Sequence, residues 1–329
     1  FDGSYLVGLE ATKGLKTLNE LMIKKSEQDV LKEVTKAYFS VIVAVENEKT
    51  LRYSLAKVQK IYNETKIILE NDLIESQDVD QLQITVSTLT NAVNRAERMK
   101  HLATQMLKFQ IGLKLEEEII LSDSLLLQSD SLSGNPPVAS MSPDKNVDHQ
   151  LLMTQIMLNE LDMKNQKMGY YPSMAAFFTQ QYQAFRNDFN FFANQPWYPA
   201  TIWGIQLSIP IFSSGMRQAK VEQAKINLEK SKIQLEQLDQ SLQLKMFALV
   251  TEFTSAAETV ATEKQTLSLA DDIQRKTLVK YREGFASSLE LAQSQNQYLG
   301  AQANYINALY TLLNTQAEID HLLNNYTTK

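Results

Sequence analysis

The sequence predicts a mainly helical protein: an elongated, antiparallel bundle of coiled-coil type with a few β-strands set into its middle. The positions of the chain breakers lead there first. All seven prolines fall between Pro136 and Pro210, the 97 residues from Leu15 to Ile111 contain neither Gly nor Pro, and from Met216 to Lys329 the only breakers are Gly284 and Gly300. Uninterrupted stretches of this kind, rich in Leu, Lys, Glu, Gln and Ala, read as helix. The apolar spacing agrees. Val30, Val34, Ala37, Val41, Ala44 and Val45 recur at steps of three and four, as do Leu242, Met246, Leu249, Phe253 and Ala256, and such narrow stripes suit helices packed in pairs. A helix from about Met216 to Arg282 would be roughly 100 Å long at 1.5 Å per residue, too long for a compact domain of this size.

The third observation is an internal repeat. Phe1-Asp2-Gly3-Ser4 is echoed 211 residues later by Phe212-Ser213-Ser214-Gly215. At a separation of 212, Val30, Val34, Ala37, Tyr38 and Val41 fall on Leu242, Met246, Leu249, Val250 and Phe253. Leu73, Ser76, Asp78, Val79 and Gln81 fall on Phe285, Ser288, Glu290, Leu291 and Gln293. Apolar meets apolar and acid meets acid, so each repeat reads as a strand end, a very long helix, a tight turn and a returning helix.

Taken in order, residues 1–121 form the first repeat, opening on a strand end at Phe1 to about Tyr5. Its turn lies at Asn71 to Ser76, where Asn71 or Asp72 takes the left-handed position and Ser76 caps the returning helix. Residues 122–146, polar and marked by Pro136-Pro137 and Pro143, read as a linker. Residues 147–168 return to helix. Residues 169–212 hold two strands. In the second, Trp203, Ile205, Leu207, Ile209 and Ile211 alternate with Gly204, Gln206, Ser208 and Pro210, giving one apolar face and one small or polar face. The first strand, from Tyr170 to about Tyr182, puts Met174, Ala176 and Phe178 on one face, and Phe185 to Tyr198 reads as the connecting loop. Residues 213–329 are the second helical hairpin, turning at Glu283 to Ser288 with Gly284 supplying a positive φ and Ser287 or Ser288 the cap.

Composition removes several classes of function. The chain has 329 residues and a net charge of −6, with 32 basic residues mixed among 38 acidic ones. No basic block exists to meet a phosphate backbone, so nucleic acid is not expected as a partner. There is no cysteine, which excludes disulfides and thiolate metal sites. No run of 18 apolar residues predicts a membrane-crossing helix. The chain opens at Phe1 without Met, and a preceding portion is expected. His101, His149 and His321 are scattered, and Glu116-Glu117-Glu118 reads as a solvated run, so no metal is expected. With no phosphate loop, nucleophile elbow or paired His-carboxylate spacing, neither a cofactor nor an enzyme activity is expected.

Four segments carry a resemblance to a known family. Ala37-Tyr38-Phe39-Ser40-Val41 resembles the long first helix of each repeat in the TolC family of outer-membrane efflux proteins. Tyr281-Arg282-Glu283-Gly284-Phe285-Ala286-Ser287 resembles that family's turn between long helices. Ile209-Pro210-Ile211-Phe212-Ser213-Ser214-Gly215 resembles its strand-to-helix junction, and Asn307-Ala308-Leu309-Tyr310 its returning helix. Order and spacing carry the resemblance over essentially the whole chain; no single motif does.

The resemblance implies a homotrimer in the outer membrane of a Gram-negative bacterium. Each subunit would give four strands to a 12-stranded barrel and long helices to a periplasmic tunnel; one strand of the four, with its leading helix, is absent from this sequence. It implies an exit duct serving a periplasmic adaptor and an inner-membrane transporter. Glu290 matches a carboxylate that lines the periplasmic aperture, and Asp78 and Asp80 sit in the equivalent place of the first repeat. The same acids would also complement helix N-termini. Asp72, Leu73, Gly284 and Phe285 resemble the tip positions that meet an adaptor. The face carrying Trp203, Ile205, Leu207, Ile209 and Ile211 suits outer-membrane lipid. The rival reading is a periplasmic helical-hairpin scaffold or adaptor that is soluble and lacks the lipid-facing strand.

Overall fold

A computed structural model describes residues 1–71, 74–121, 142–189, 192, 194 and 196–324. The elements are α1 (Gly3–Glu70), α2 (Ser76–Gln110), a short 3₁₀ turn (Pro143–Lys145), α3 (Val147–Met168), β1 (Ser173–Gln183), β2 (Tyr198–Ser208), α4 (Met216–Arg282) and α5 (Ser288–Leu323). The helices end where the repeat says they must. Glu70 and Arg282 close the two long helices, and Ser76 and Ser288 open the two returning ones, each pair separated by 212 residues. Contacts divide the chain into two compact units, residues 1–24 with 147–240, and residues 25–146 with 241–329.

The first unit contains the hairpin. β1 and β2 pair antiparallel from Ser173↔Ser208 to Gln183↔Tyr198. Directly opposed residues share a face, so Met174, Ala176 and Phe178 join Leu207, Ile205 and Trp203 in one apolar surface. The other face carries Ala175, Thr179, Gln181, Gln183, Ala200, Gly204 and Gln206, with Phe177, Tyr198 and Ile202 among them. Gly204 leaves room for the ring across the ladder: a Cβ on it would sit 3.0 Å from Cζ of Phe177, which would have to shift slightly. α3 is tied in by Asn159 Nδ2, which donates to Ser231 Oγ of α4 at 2.6 Å, and by Lys164, which pairs with Glu10 of α1 at 3.2 Å.

Two expectations change here. The strand end at Phe1 to Tyr5 shrinks to its first residue: Met174 N donates to Phe1 O at 2.8 Å, while α1 already begins at Gly3. Asp2 turns the chain, accepting the Tyr5 N–H at 3.1 Å. Ile209 and Ile211 lie beyond the end of β2, because Pro210 has no N–H to extend the ladder.

The second unit packs the remaining helices on one another. α5 is its most buried element, meeting α1 through a cluster of Phe39, Ile42, Tyr305, Ile306, Leu309 and Leu313. Nearer the turns, Ile61 of α1, Leu82 of α2 and Leu291 of α5 form a second cluster with Leu278 and Tyr281 of α4 packed against it. Val41 and its repeat mate Phe253 are each 2% exposed, so at that pair the facing predicted from the repeat holds.

Candidate functional site

The helix turns of the second unit and the hairpin of the first are the places where chemistry is exposed. At the turn between α4 and α5, Gly284 has φ +76, and its N–H and that of Phe285 donate to Tyr281 O at 3.1 Å and Lys280 O at 2.7 Å. These bonds close the end of α4, and a left-handed glycine is the residue that permits them. Ser287 is the N-cap of α5. Its Oγ accepts the Glu290 N–H at 3.2 Å, and Glu290 Oε2 accepts the Ser287 N–H at 2.8 Å. The backbone N–H and then the hydroxyl of Ser287 hold the Glu290 carboxyl below its ordinary range. Phe285, between these features, is 83% exposed.

The other turn is built differently. Glu75, not Ser76, is the N-cap of α2, and no side-chain bond caps that end. Asn71 does not adopt a positive φ, the non-glycine residues that do so among those described being Ser214 and Asn324. Instead its Nδ2 donates to Ile67 O at 2.7 Å, satisfying a carbonyl left over at the helix end. Asp72 and Leu73 lie outside the described residues. Asp78 is in the first turn of α2, half-buried, and Asp80 is exposed two residues further on.

Between the two turns the side chains interlock. Thr65 Oγ1 lies 2.8 Å from Tyr281 OH, and Arg282 pairs with Glu64 at 3.6 Å. Burial lifts the Tyr281 phenol above its ordinary range; the Thr65 hydrogen bond opposes this and the Asp78 charge adds to it. Deeper in, Lys57 Nζ donates to Gln274 Oε1 at 2.7 Å, and Gln274 Nε2 donates to Gln295 Oε1 at 2.8 Å. Both glutamines are 2% exposed, and burial pushes the Lys57 ammonium below its ordinary range. Between α1 and α2, Glu48, 7% exposed, receives Arg52 Nε and pairs with Lys100 Nζ at 2.5 Å. The Lys100 hydrogen bond, followed by that of Arg52, keeps its carboxyl low despite burial.

Sequence reasoning missed both polar layers. The Glu48–Arg52 step of four was readable, but nothing in one sequence points Lys57 at Gln274. The Ser287-x-x-Glu290 spacing was a readable capping box.

In the hairpin, Trp203, Ile205 and Leu207 are 77%, 71% and 60% exposed. An apolar face this open on one side of a strand, with a mostly small or polar one opposite that Ile202 interrupts, is the pattern of a transmembrane barrel strand. Tyr170 and Tyr171 at one end, and Tyr182, Phe185, Trp197 and Tyr198 at the other, flank it with exposed aromatics, as at membrane interfaces. Among the described residues no helix is long and apolar enough to cross a membrane.

The fold and these surfaces define a class: barrel-strand hairpins carried on duplicated long helices. The sequence profile of the outer membrane efflux protein family matches residues 161–325, and the chain belongs to that family. Solved structures share the fold. A CusC structure described in terms of transmembrane channel formation superposes with a TM-score of 0.80 at 15% identity, covering 98% of this chain and 74% of that one. The CmeC outer membrane channel of Campylobacter jejuni gives 0.76 at 13%, covering 98% and 68%. The open-state MtrE outer membrane channel of Neisseria gonorrhoeae gives 0.77 at 14%, covering 98% and 72%. Sequence comparison with curated proteins finds no match. The resemblance to the TolC family holds, and the protein is an outer-membrane efflux conduit with a periplasmic helical part; it is not an enzyme, and the scaffold reading falls.

Proposed function

We propose that the conduit is a homotrimer gated at its helix turns, with Glu290, Asp78 and Asp80 as the charged ring of the periplasmic aperture. The observation that carries this reading is Glu290 itself. It is an exposed carboxylate in the first turn of a returning helix, with its charge held on by Ser287. Three copies around an axis would favour cations over anions at the constriction. Gly284 and the exposed Phe285 are the contact for a periplasmic adaptor that couples the duct to an inner-membrane transporter; Asp72 and Leu73, the matching positions of the first turn, would complete it. Trp203, Ile205 and Leu207 face outer-membrane lipid, with Ile209 and Ile211 continuing that surface below the strand.

The test is single-channel conductance of the full protein in planar bilayers. Glu290→Gln keeps the shape and an acceptor for the Ser287 N–H but removes the charge. Cation preference should fall, and the acid-side change in conductance should disappear. Unchanged selectivity in a protein of unchanged mass would remove Glu290 from the gate.

A further inference from the structure

A cavity of about 560 Å³ opens in the second unit along the groove between α4 and α5, with Lys36 of α1 at one end. That volume is in the range of small-ligand sites. Along α4 it is lined by Lys245, Leu249 and Glu252. Antiparallel α5 answers in the reverse order, with Glu318, then Asn314 and Thr315, then Thr311 and Tyr310. Leu249 and Thr315, 8% and 3% exposed, form the floor.

The two ends of this groove carry opposite charge. At the first, Glu318 pairs with Lys36 and, at 3.7 Å, with Lys245. Two ammoniums share one carboxylate, so this end keeps one positive charge. Lys245 is the freer of the two, its side chain being 48% exposed. Burial works to raise the Glu318 carboxyl, but the Lys36 hydrogen bond and the charges of Lys36, Lys245 and Lys32 outweigh it and hold the group below its ordinary range. At the other end Glu252 is exposed, with no ion-pair or hydrogen-bond partner among the described residues. Seven residues along α4 separate it from Lys245, about 10 Å at 1.5 Å per residue.

The hydroxyls between the ends are already engaged. Thr311 and Thr315 donate to Asn307 O and Thr311 O at 3.0 and 2.9 Å. Tyr310 OH lies 3.0 Å from Ser40 Oγ, whose own proton goes to Lys36 O. Asn314 is the exception: its Oδ1 is buried without a hydrogen-bond partner, an unfavourable state for an acceptor. The groove therefore suits an ammonium at one end, a carboxylate at the other and an N–H between them.

We infer that the groove binds a short zwitterionic peptide, laid extended over Leu249 with its ammonium on Glu252 and its carboxylate on Lys245. A small rotation of Asn314 lets its Oδ1 accept a peptide N–H midway. Length sets the class of ligand. An extended tripeptide spans about 10 Å at its reach per residue, whereas a free amino acid cannot touch both ends. The site lies away from the helix turns and is separate from the gate.

The experiment titrates trialanine into the full-length protein in detergent, followed by saturation-transfer NMR. N-acetyl-trialanine and trialanine amide each lack one terminal charge, and each should bind about fivefold more weakly, the upper end for an exposed ion pair. Alanine alone should not compete. Glu252→Gln should remove the advantage of the free ammonium and keep that of the free carboxylate; Lys245→Gln should do the reverse. Unchanged mass and thermal unfolding in both variants show that neither has lost its fold. No binding of trialanine, capped peptides that bind as well as trialanine, or a preference that neither substitution removes overturns the site. None of these outcomes touches the gate, which conductance tests.

Discussion

Ser287 and Glu290 exchange hydrogen bonds across the first turn of α5: Glu290 Oε2 accepts the Ser287 N–H at 2.8 Å while Ser287 Oγ accepts the Glu290 N–H at 3.2 Å. The residue expected at the aperture is thus also part of the device that starts the helix. Ser287→Ala should cost about 1 kcal/mol of local helix stability, read as faster amide exchange in the first turn of α5. The pH dependence follows from the sign of the shift. Glu290 is held low in the folded state, so its contribution is present above the ordinary carboxylate range and is lost as pH falls through the depressed value. Acid titration of Ser287→Ala should therefore shift the carboxylate transition toward higher pH.

Glu48 behaves in the same direction for a different reason. Lys100 and Arg52 hold it ionised although it is 7% exposed. Its stabilising effect should vanish as pH drops below its lowered range. Glu48→Ala should destabilise the α1–α2 pairing by about 1–3 kcal/mol, since it removes the charged acceptor shared by Arg52 and Lys100. A midpoint in denaturant equal to that of the unmodified protein would show the pair is idle.

Gln274→Leu should cost about 1–3 kcal/mol, because it strips the buried Gln295 amide of its partner. The double change to leucine at both positions should recover part of the loss, since the Gln295 amide is no longer orphaned while Lys57 still lacks the acceptor it has in Gln274. Denaturant midpoints of the three variants measure this. A double variant no better than the single would mean that packing, not hydrogen bonding, sets the layer.

The two faces of the hairpin should respond oppositely to charge. Ile205→Arg, on the apolar face, should reduce folded barrel by about 2–4 kcal/mol if it lies near the bilayer midplane. Gln206→Arg, on the other face, should fold and alter conductance instead. Folding into lipid vesicles, followed by gel mobility without boiling, separates the two.

Phe285→Ser should leave folding untouched, because the ring is 83% exposed. Co-purification with the adaptor should fall. Full retention of the adaptor would take Phe285 out of the contact.

The sequence by itself determined the long helices, their turns and the hairpin. Those features depend on local causes: breakers absent from Leu15 to Ile111, a left-handed glycine at 284, and alternation from Trp203 to Leu207. The repeat even placed the helix ends, through the 212-residue offset of Glu70 from Arg282. Where local signals compete, the reading slipped. Ser76 had the residue type of a cap, but Glu75 holds the position, and Pro210 stopped a strand whose apolar alternation continued to Ile211.

Only tertiary structure decided which polar groups are interior. Lys57, Gln274 and Gln295 lie on three different helices, and no periodicity within any one of them marks the meeting. The same is true of the exposed apolar residues on α2 and α4, such as Met99, Phe109, Phe247 and Leu269. A helix with two apolar sides reads from sequence as a helix in a wall, but which side is already packed depends on where its neighbours lie. Phase along one helix is a local property, whereas the partner that covers it is set by packing between distant segments.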